Sequence, residues 1–214
     1  MLDIQRFVLG PVTTNTYLIA DTITGKAAVI DPAGQGNHVL EAAREKGWRI
    51  QSVWLTHAHF DHIAGVRGIM EALEEGLAEQ LEIGLHPDDL PLWNRKGGAE
   101  YFGLHMEPGP APNFTFQHGQ ELELGEQRLE VRHAPGHTRG HVMFYSPETG
   151  VLFCGDVIFK NGIGRTDLPG GDFETLMKSI QEQVLTLPEE TILLSGHGPE
   201  STVGAEKRGN LYIR

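Results

Sequence analysis

With 214 residues and 39% apolar content the chain has enough material for a sizeable core, and one domain spanning residues 1–214 is expected. Its 17 Lys and Arg stand against 29 Asp and Glu, a net charge of −12, which repels polyanions and argues against nucleic acid as a partner. No uncharged span approaches bilayer length, the opening MLDIQRFVLG lacks the apolar run of a signal peptide, and the lone Cys154 excludes an internal disulfide; no membrane contact and a cytoplasmic location are expected.

The first third reads as strands followed by a helix. DIQRFVL, NTYLIAD and KAAVIDP are rich in β-branched and aromatic residues and are separated by turn residues at Gly10-Pro11 and Thr24-Gly25. GNHVLEAAREKG has a helical pattern closed by Gly47, and SVWLT reads as a buried strand. THAHFDHIAG follows directly, and Ile63, Val66, Met70 and Leu73 then recur at helical spacing, which places Asp61 and His62 at that helix's first turn. Residues 94–113 mix Gly and Pro with aromatics and show no clear period, as expected of a loop that covers a site.

The second half repeats the scheme. ELELG, QRLEVRH, HVMFYS and VLFCG read as strands, Phe173, Leu176, Ile180, Val184 and Leu187 as the apolar stripe of a helix stopped by Pro188, and TILLS as a last strand. Two strand-rich halves, each followed by helices, predict two sheets packed face to face with helices outside, a four-layer αββα sandwich.

His57, His59, Asp61 and His62 crowd into six positions. Such groups are costly to hold together without a cation, and imidazole with carboxylate is a usual donor set for a divalent ion. His57 and His59, two apart on extended backbone, point to one side and suit one ion. Asp61 and His62 face differently and suit a second. Two ions need further ligands, and APGHTRGH, LFCGD and LLSGHG each place a His or Asp beyond an apolar strand beside glycine. The candidates are His137, Asp156 and His197.

THAHFDH, PGHTRGH, CGD and SGHG, in that order, together with VIDPAG, resemble the metallo-β-lactamase superfamily, most closely its glyoxalase II-like hydrolytic branch. The resemblance implies the αββα fold, with His57, His59 and His137 holding a first metal, Asp61, His62 and His197 a second, and Asp156 bridging them. Asp31, Thr138 and His141 fall at motif positions that support the ligands without binding metal. His38, His86, His105, His118 and His133 are left without a role, and Cys154 reads as a small core residue.

Two divalent ions, most naturally zinc with iron or manganese as alternatives, can hold a hydroxide between them and polarise a carbonyl. Outside the ligand set no general acid is evident, which favours a leaving group that needs no proton; a thiolate, whose conjugate acid has a pKa near ~8.5, is one. The resemblance accordingly implies hydrolysis of glutathione thioesters such as S-lactoylglutathione, a step of methylglyoxal detoxification, with Asp61 and Asp156 in catalytic positions. Arg165 matches the family's substrate-binding cation. Two departures stand out: Asp167 replaces the tyrosine that usually follows that cation, and the chain ends soon after His197, where typical members continue into a helical glutathione-binding domain. A short single-domain variant is expected, with Lys207, Arg208 and the 94–113 segment as the nearest substitutes. The rivals are a persulfide dioxygenase of the same superfamily, with one iron on His57, His137 and Asp156, and a hydrolase of another thioester or ester.

Overall fold

Side chains alternate between the two faces of a strand, so a strand that is apolar at successive positions must be covered on both sides. Strand β2 (Thr14–Asp21) is buried along its whole length in the computed structural model, which describes residues 1–73, 76 and 78–213. Its Tyr17 and Ile19 enter one apolar cluster while Leu18 and Ala20 enter another.

The first sheet runs in the order β1 (Leu2–Leu9), β2, β3 (Lys26–Ile30), β4 (Arg49–Trp54), β5 (Glu82–Leu85), β6 (Phe114–Thr115). β1, β2 and β3 pair antiparallel; β3 to β6 pair parallel. Its outer face is covered by α1 (Gly36–Glu45), through Val39, Leu40 and Ala43, and by Ile69 beyond it. The second sheet contains β7 (Glu121–Leu124), β8 (Gln127–His133), β9 (Val142–Ser146) and β10 (Val151–Gly155), with β13 (Ile192–Ser195) and β14 (Ser201–Thr202) continuing beyond β10. A short ribbon, β11 (Ile158–Phe159) with β12 (Gly162–Ile163), stands apart.

Alternation in this sheet mirrors that in the first. Phe144 and Phe153 face inward to meet Tyr17, Ile19 and Trp54, whereas Met143, Tyr145, Leu152 and Cys154 face outward. Leu176, Ile180 and Val184 cover that outer face. Three apolar clusters separated by two sheets make the αββα sandwich that the pattern predicts. Cys154 is fully buried in the outer cluster, as expected of a core thiol.

Three expectations need correction. The helix anticipated through Ile63 and Leu73 is two pieces, α2 (Phe60–Ile63) and α3 (Val66–Ala72). Gly65 N–H leaves the helical ladder to donate to Pro32 O at 2.7 Å, and Ile69 takes a fully buried place while Met70 is only partly covered. Phe173 is 47% exposed and lies outside the apolar stripe, because it opens helix α5 (Phe173–Ser179) beside the capping residue Asp172. That helix continues as a π-helical turn over Ile180–Val184.

Residues 94–113 also hold more structure than their composition suggests. They begin at the end of α4 (Leu90–Asn94) and pass into a 3₁₀ segment, Lys96–Phe102, with Gly97 and Gly98 at positive φ. The last helix, α6 (Val203–Gly209), carries Lys207 and Arg208. Among the described residues no helix is long and apolar enough to cross a membrane.

Candidate metal centre

The site forms where both sheets present strand ends to one edge. Thr56 and His57 follow β4, the 134–141 turn joins β8 to β9, and Asp156 and His197 follow the parallel pair β10 and β13. Val142 N–H donates to Thr56 O at 2.8 Å and Asn15 N–H to Gly196 O at 2.6 Å, so the two sheets are hydrogen-bonded together there. Gly196 permits the approach: a Cβ at that position would overlap the Asp156 carboxylate and the His62 ring.

All seven candidate ligands converge. The ligand atoms of His57, His59 and His137 lie within 4.8 Å of one another, as do those of Asp61, His62 and His197. Asp156 stands between the two sets: its Oδ2 is 3.6 Å from His137 Nε2 and 3.5 Å from His197 Nε2, and its Oδ1 is 3.4 Å from His62 Nε2. Asp61 Oδ2 lies 3.3 Å from His62 Nε2 and 3.2 Å from His197 Nε2.

Neighbours fix which ring nitrogen each histidine offers. Thr56 Oγ1 donates its one hydrogen to Asp31 Oδ2 at 2.7 Å, so at 3.0 Å it can only accept from His57 Nδ1–H. His62 Nδ1–H donates to Asp31 Oδ2 at 2.9 Å, and His137 Nδ1–H to the Arg165 carbonyl at 2.8 Å. In all three residues Nε2 is directed into the site, and that of His137 meets His59 Nδ1 at 2.8 Å. His57 Nε2, His62 Nε2 and Asp156 Oδ1 are buried without any hydrogen-bond partner. A bound cation satisfies such atoms, so the donor set fits two divalent ions.

The electrostatics agree. Burial, reinforced by the surrounding imidazoles, pushes His57 well below its ordinary value, and burial beside His137 lowers His59 to about 3; both rings stay neutral and ready to ligate. Burial alone would raise Asp61, but His62 and the His197 hydrogen bond outweigh it and hold it at about 2. Asp156 is likewise held well below the carboxylate range, its burial outweighed chiefly by His62. Burial opposes a charge on His62, yet Asp61, Asp156 and Asp31 raise it well above its usual value. Three carboxylates that draw a proton so strongly draw a divalent cation as well.

Asp31, His141 and Thr138, expected as supports, lie beside the candidate ligands. Asp31, at φ 50, accepts from Thr56 N–H at 2.8 Å and orients His62. His141 Nε2 accepts from Asp156 N–H at 3.0 Å, and Thr138 Oγ1 donates to Asp89 Oδ2 at 2.8 Å. Asp89 itself escaped sequence reasoning. Nearly fully buried, it also accepts from Ala58 N–H at 3.0 Å and Gly140 N–H at 2.7 Å, tying the first motif to the 134–141 turn. Thr14 was missed too; its hydroxyl donates to Asp61 Oδ2 at 2.8 Å. The only signals were an acid pair after His86-Pro87 and a threonine opening a strand, both commonplace.

Arg165 touches the site through its main chain. Its carbonyl holds His137, while its guanidinium makes a bidentate pair with Asp167, Nε to Oδ1 and an Nη to Oδ2, each at 2.7 Å. Lys207 and Arg208 do not line the cleft beside His59, and Arg208 pairs with Glu189 at 2.8 Å. His86 and His133, read as having no role, stack at 4.2 Å beside Asp88. Their planes are only 8° apart, so their in-plane lone pairs run parallel and do not converge on one ion.

Comparison with known proteins agrees with this geometry. The sequence profile of the metallo-beta-lactamase superfamily matches residues 9–197. The hydroxyacylglutathione hydrolase GloC of Haemophilus influenzae is 36% identical over 188 residues, covering 87% of each chain. The crystal structure of the BLEG-1 B3 metallo-beta-lactamase superposes with a TM-score of 0.89 at 32% identity, covering 100% of this chain and 99% of that one. TTHA1623 in a di-iron-bound form superposes with a TM-score of 0.86 at 37% identity, over 97% and 99%. The profile match across most of the chain, the shared αββα frame and the converged His and Asp sets lead to one conclusion: this chain belongs to the metallo-beta-lactamase superfamily.

Proposed function

We propose that the protein is a binuclear metal-dependent hydrolase of glutathione thioesters, S-lactoylglutathione being the model substrate, with zinc as the preferred ion. The observation that carries this reading is the placement of Asp156 between two complete His and Asp sets. His57, His59 and His137 would hold one ion, Asp61, His62 and His197 the other, with Asp156 shared. When bound, such a pair supplies a water acidified to near neutral pH and a Lewis acid for the substrate carbonyl.

The chain's own groups do the rest. The Asp61 carboxylate accepts a hydrogen bond from the attacking water and orients it, while Thr14 steadies Asp61 from behind at 2.8 Å. Asp31 and the Arg165 carbonyl hold the His62 and His137 rings in place at 2.9 and 2.8 Å. Water adds its oxygen to the thioester carbonyl carbon, the C–S bond breaks with its electron pair on sulfur, and the remaining protons pass to solvent. Products are a carboxylate and a thiolate, which takes one proton back from solvent to become the thiol. Asp61 and Asp156 are both held ionised, so neither can protonate a leaving group. A thiolate, with a conjugate-acid pKa near ~8.5, leaves without one. The similarity to GloC supports the same substrate class.

The test is metal counting on the purified protein beside three assays: anaerobic S-lactoylglutathione hydrolysis, oxygen uptake with glutathione persulfide, and hydrolysis of a cephalosporin. Two ions per chain and oxygen-independent thioester turnover are expected. One iron per chain with only oxygen uptake would replace this reading with the dioxygenase, and cephalosporin turnover alone would replace it with a lactamase.

A further inference from the structure

Beside His59 a cleft of about 230 Å³ opens between the α4–3₁₀ segment and the loop after Arg165. Its walls are largely apolar: Leu92, Tyr101 and Phe102 on one side, Leu168 and Pro169 on the other. Tyr101 and Phe102 remain 50% and 46% exposed, an unusual place for two adjacent aromatic rings unless something covers them. Small-molecule sites have this character, an apolar trough with a few polar groups that fix orientation.

Two cations border the trough. Arg95 is already engaged, at 2.8 Å from Glu100 and stacked over Tyr101 at 5.2 Å. Arg139 is exposed and has no acidic partner among the described residues. It follows Thr138 and precedes Gly140, both tied to Asp89, so its backbone is firmly anchored two residues from the ligand His137. Arg165 offers a poorer grip. A carboxylate approaching its guanidinium meets the bidentate Asp167 and must displace it or tolerate its charge.

We propose that this cleft is the substrate site and that Arg139, not Arg165, anchors a carboxylate on the thiol arm, while the aromatic wall receives an apolar acyl group. The substrate class is therefore an aryl- or alkyl-acyl thioester of an acidic, peptide-like thiol. This rests on the thioester reading above, but its test does not depend on turnover.

Binding of S-benzylglutathione, a thioether that cannot be hydrolysed, is measured by calorimetry on the zinc-loaded protein. S-benzyl-N-acetylcysteamine, which lacks the carboxylates, serves as the paired probe. Arg139→Gln should weaken S-benzylglutathione about 10-fold, the loss of one charge-assisted contact. It should leave the neutral probe unchanged, and Arg139→Lys should restore most of the affinity. Unchanged S-benzylglutathione binding in Arg139→Gln, or an equal loss for both probes, defeats the anchor. So does a loss that appears in Arg165→Gln instead. If the wild-type protein binds as described yet hydrolyses no thioester, the proposed function fails and the cleft assignment stands.

Discussion

Asp89 makes no hydrogen bond to a candidate ligand's ring, yet it ties together two segments that bear candidate ligands. Its carboxylate collects Ala58 N–H, Gly140 N–H and the Thr138 hydroxyl at 3.0, 2.7 and 2.8 Å. Burial pushes its pKa up against those bonds, a conflict that marks how much the fold relies on the position. Asp89→Ala leaves two buried N–H groups unsatisfied and should cost about 3 kcal/mol. Zinc affinity should fall about 10-fold or more, as with other outer supports of metal sites. Thermal denaturation and a competitive zinc titration read the two effects separately; unchanged zinc affinity would deny Asp89 its spacing role. The candidate ligands were legible in the sequence because each is a His or Asp in a recognisable motif. Asp89 and Thr14 were not, since a hydrogen-bonding carboxylate or hydroxyl looks the same in a turn as beside an ion.

Among the elements, the 3₁₀ segment Lys96–Phe102 joins the cleft to the metal motif. Gly97, at φ 65, packs so tightly that a Cβ would run into the Phe60 backbone and crowd Ala58 O. Gly98 has a similar φ of 72, but its Cβ would meet only side chains, the Tyr101 ring at 3.2 Å and Leu92 at 3.9 Å. Gly97→Ala should therefore lose about 3 kcal/mol, combining left-handed strain with backbone overlap, against about 1 kcal/mol for Gly98→Ala. Urea denaturation of the two variants measures the difference, and equal losses would show that the Phe60 contact is dispensable. The apolar runs of β2, β9 and β10 announced strands, that of β4 a buried one, and the stripe through Leu176, Ile180 and Val184 its helix. Hidden were the break at Gly65, which a tertiary bond to Pro32 creates, and the turn structure of 94–102, which glycine's freedom permits but no periodicity records.

Across the whole molecule, β2 runs from Thr14, against Asp61 in the site, to Asp21 at the other end of its 8 residues, roughly 23 Å away. Asp21 accepts from Thr24 at 2.7 Å within its own sheet and from Glu126 N–H at 3.1 Å in the turn between β7 and β8 of the other. Burial would raise its pKa, but these hydrogen bonds prevail and hold it well below the carboxylate range. A depressed folded-state value means that the stabilisation is complete above the unfolded pKa of about 3.9 and is lost as pH falls through the folded one. Asp21→Asn should lower stability at pH 7 by about 2 kcal/mol and flatten the decline below pH ~4. Unfolding curves from pH 7 to pH 2 test this, and an undiminished acid slope in the variant would place the sensitivity elsewhere. Four layers could be expected from two strand-rich halves each followed by helices, together with the family motifs, but a link from the last residue of β2 to a turn about a hundred residues on has no local trace.

Each candidate ion would draw donors from both halves of the sandwich: His57 and His59 with His137, Asp61 and His62 with His197. Seated there, the ions are rivets as well as reagents, closing the edge opposite the one that Asp21 stitches. Stripping them would remove more than chemistry, because the two leaves would then rely at that margin on direct bonds such as Val142 N–H to Thr56 O.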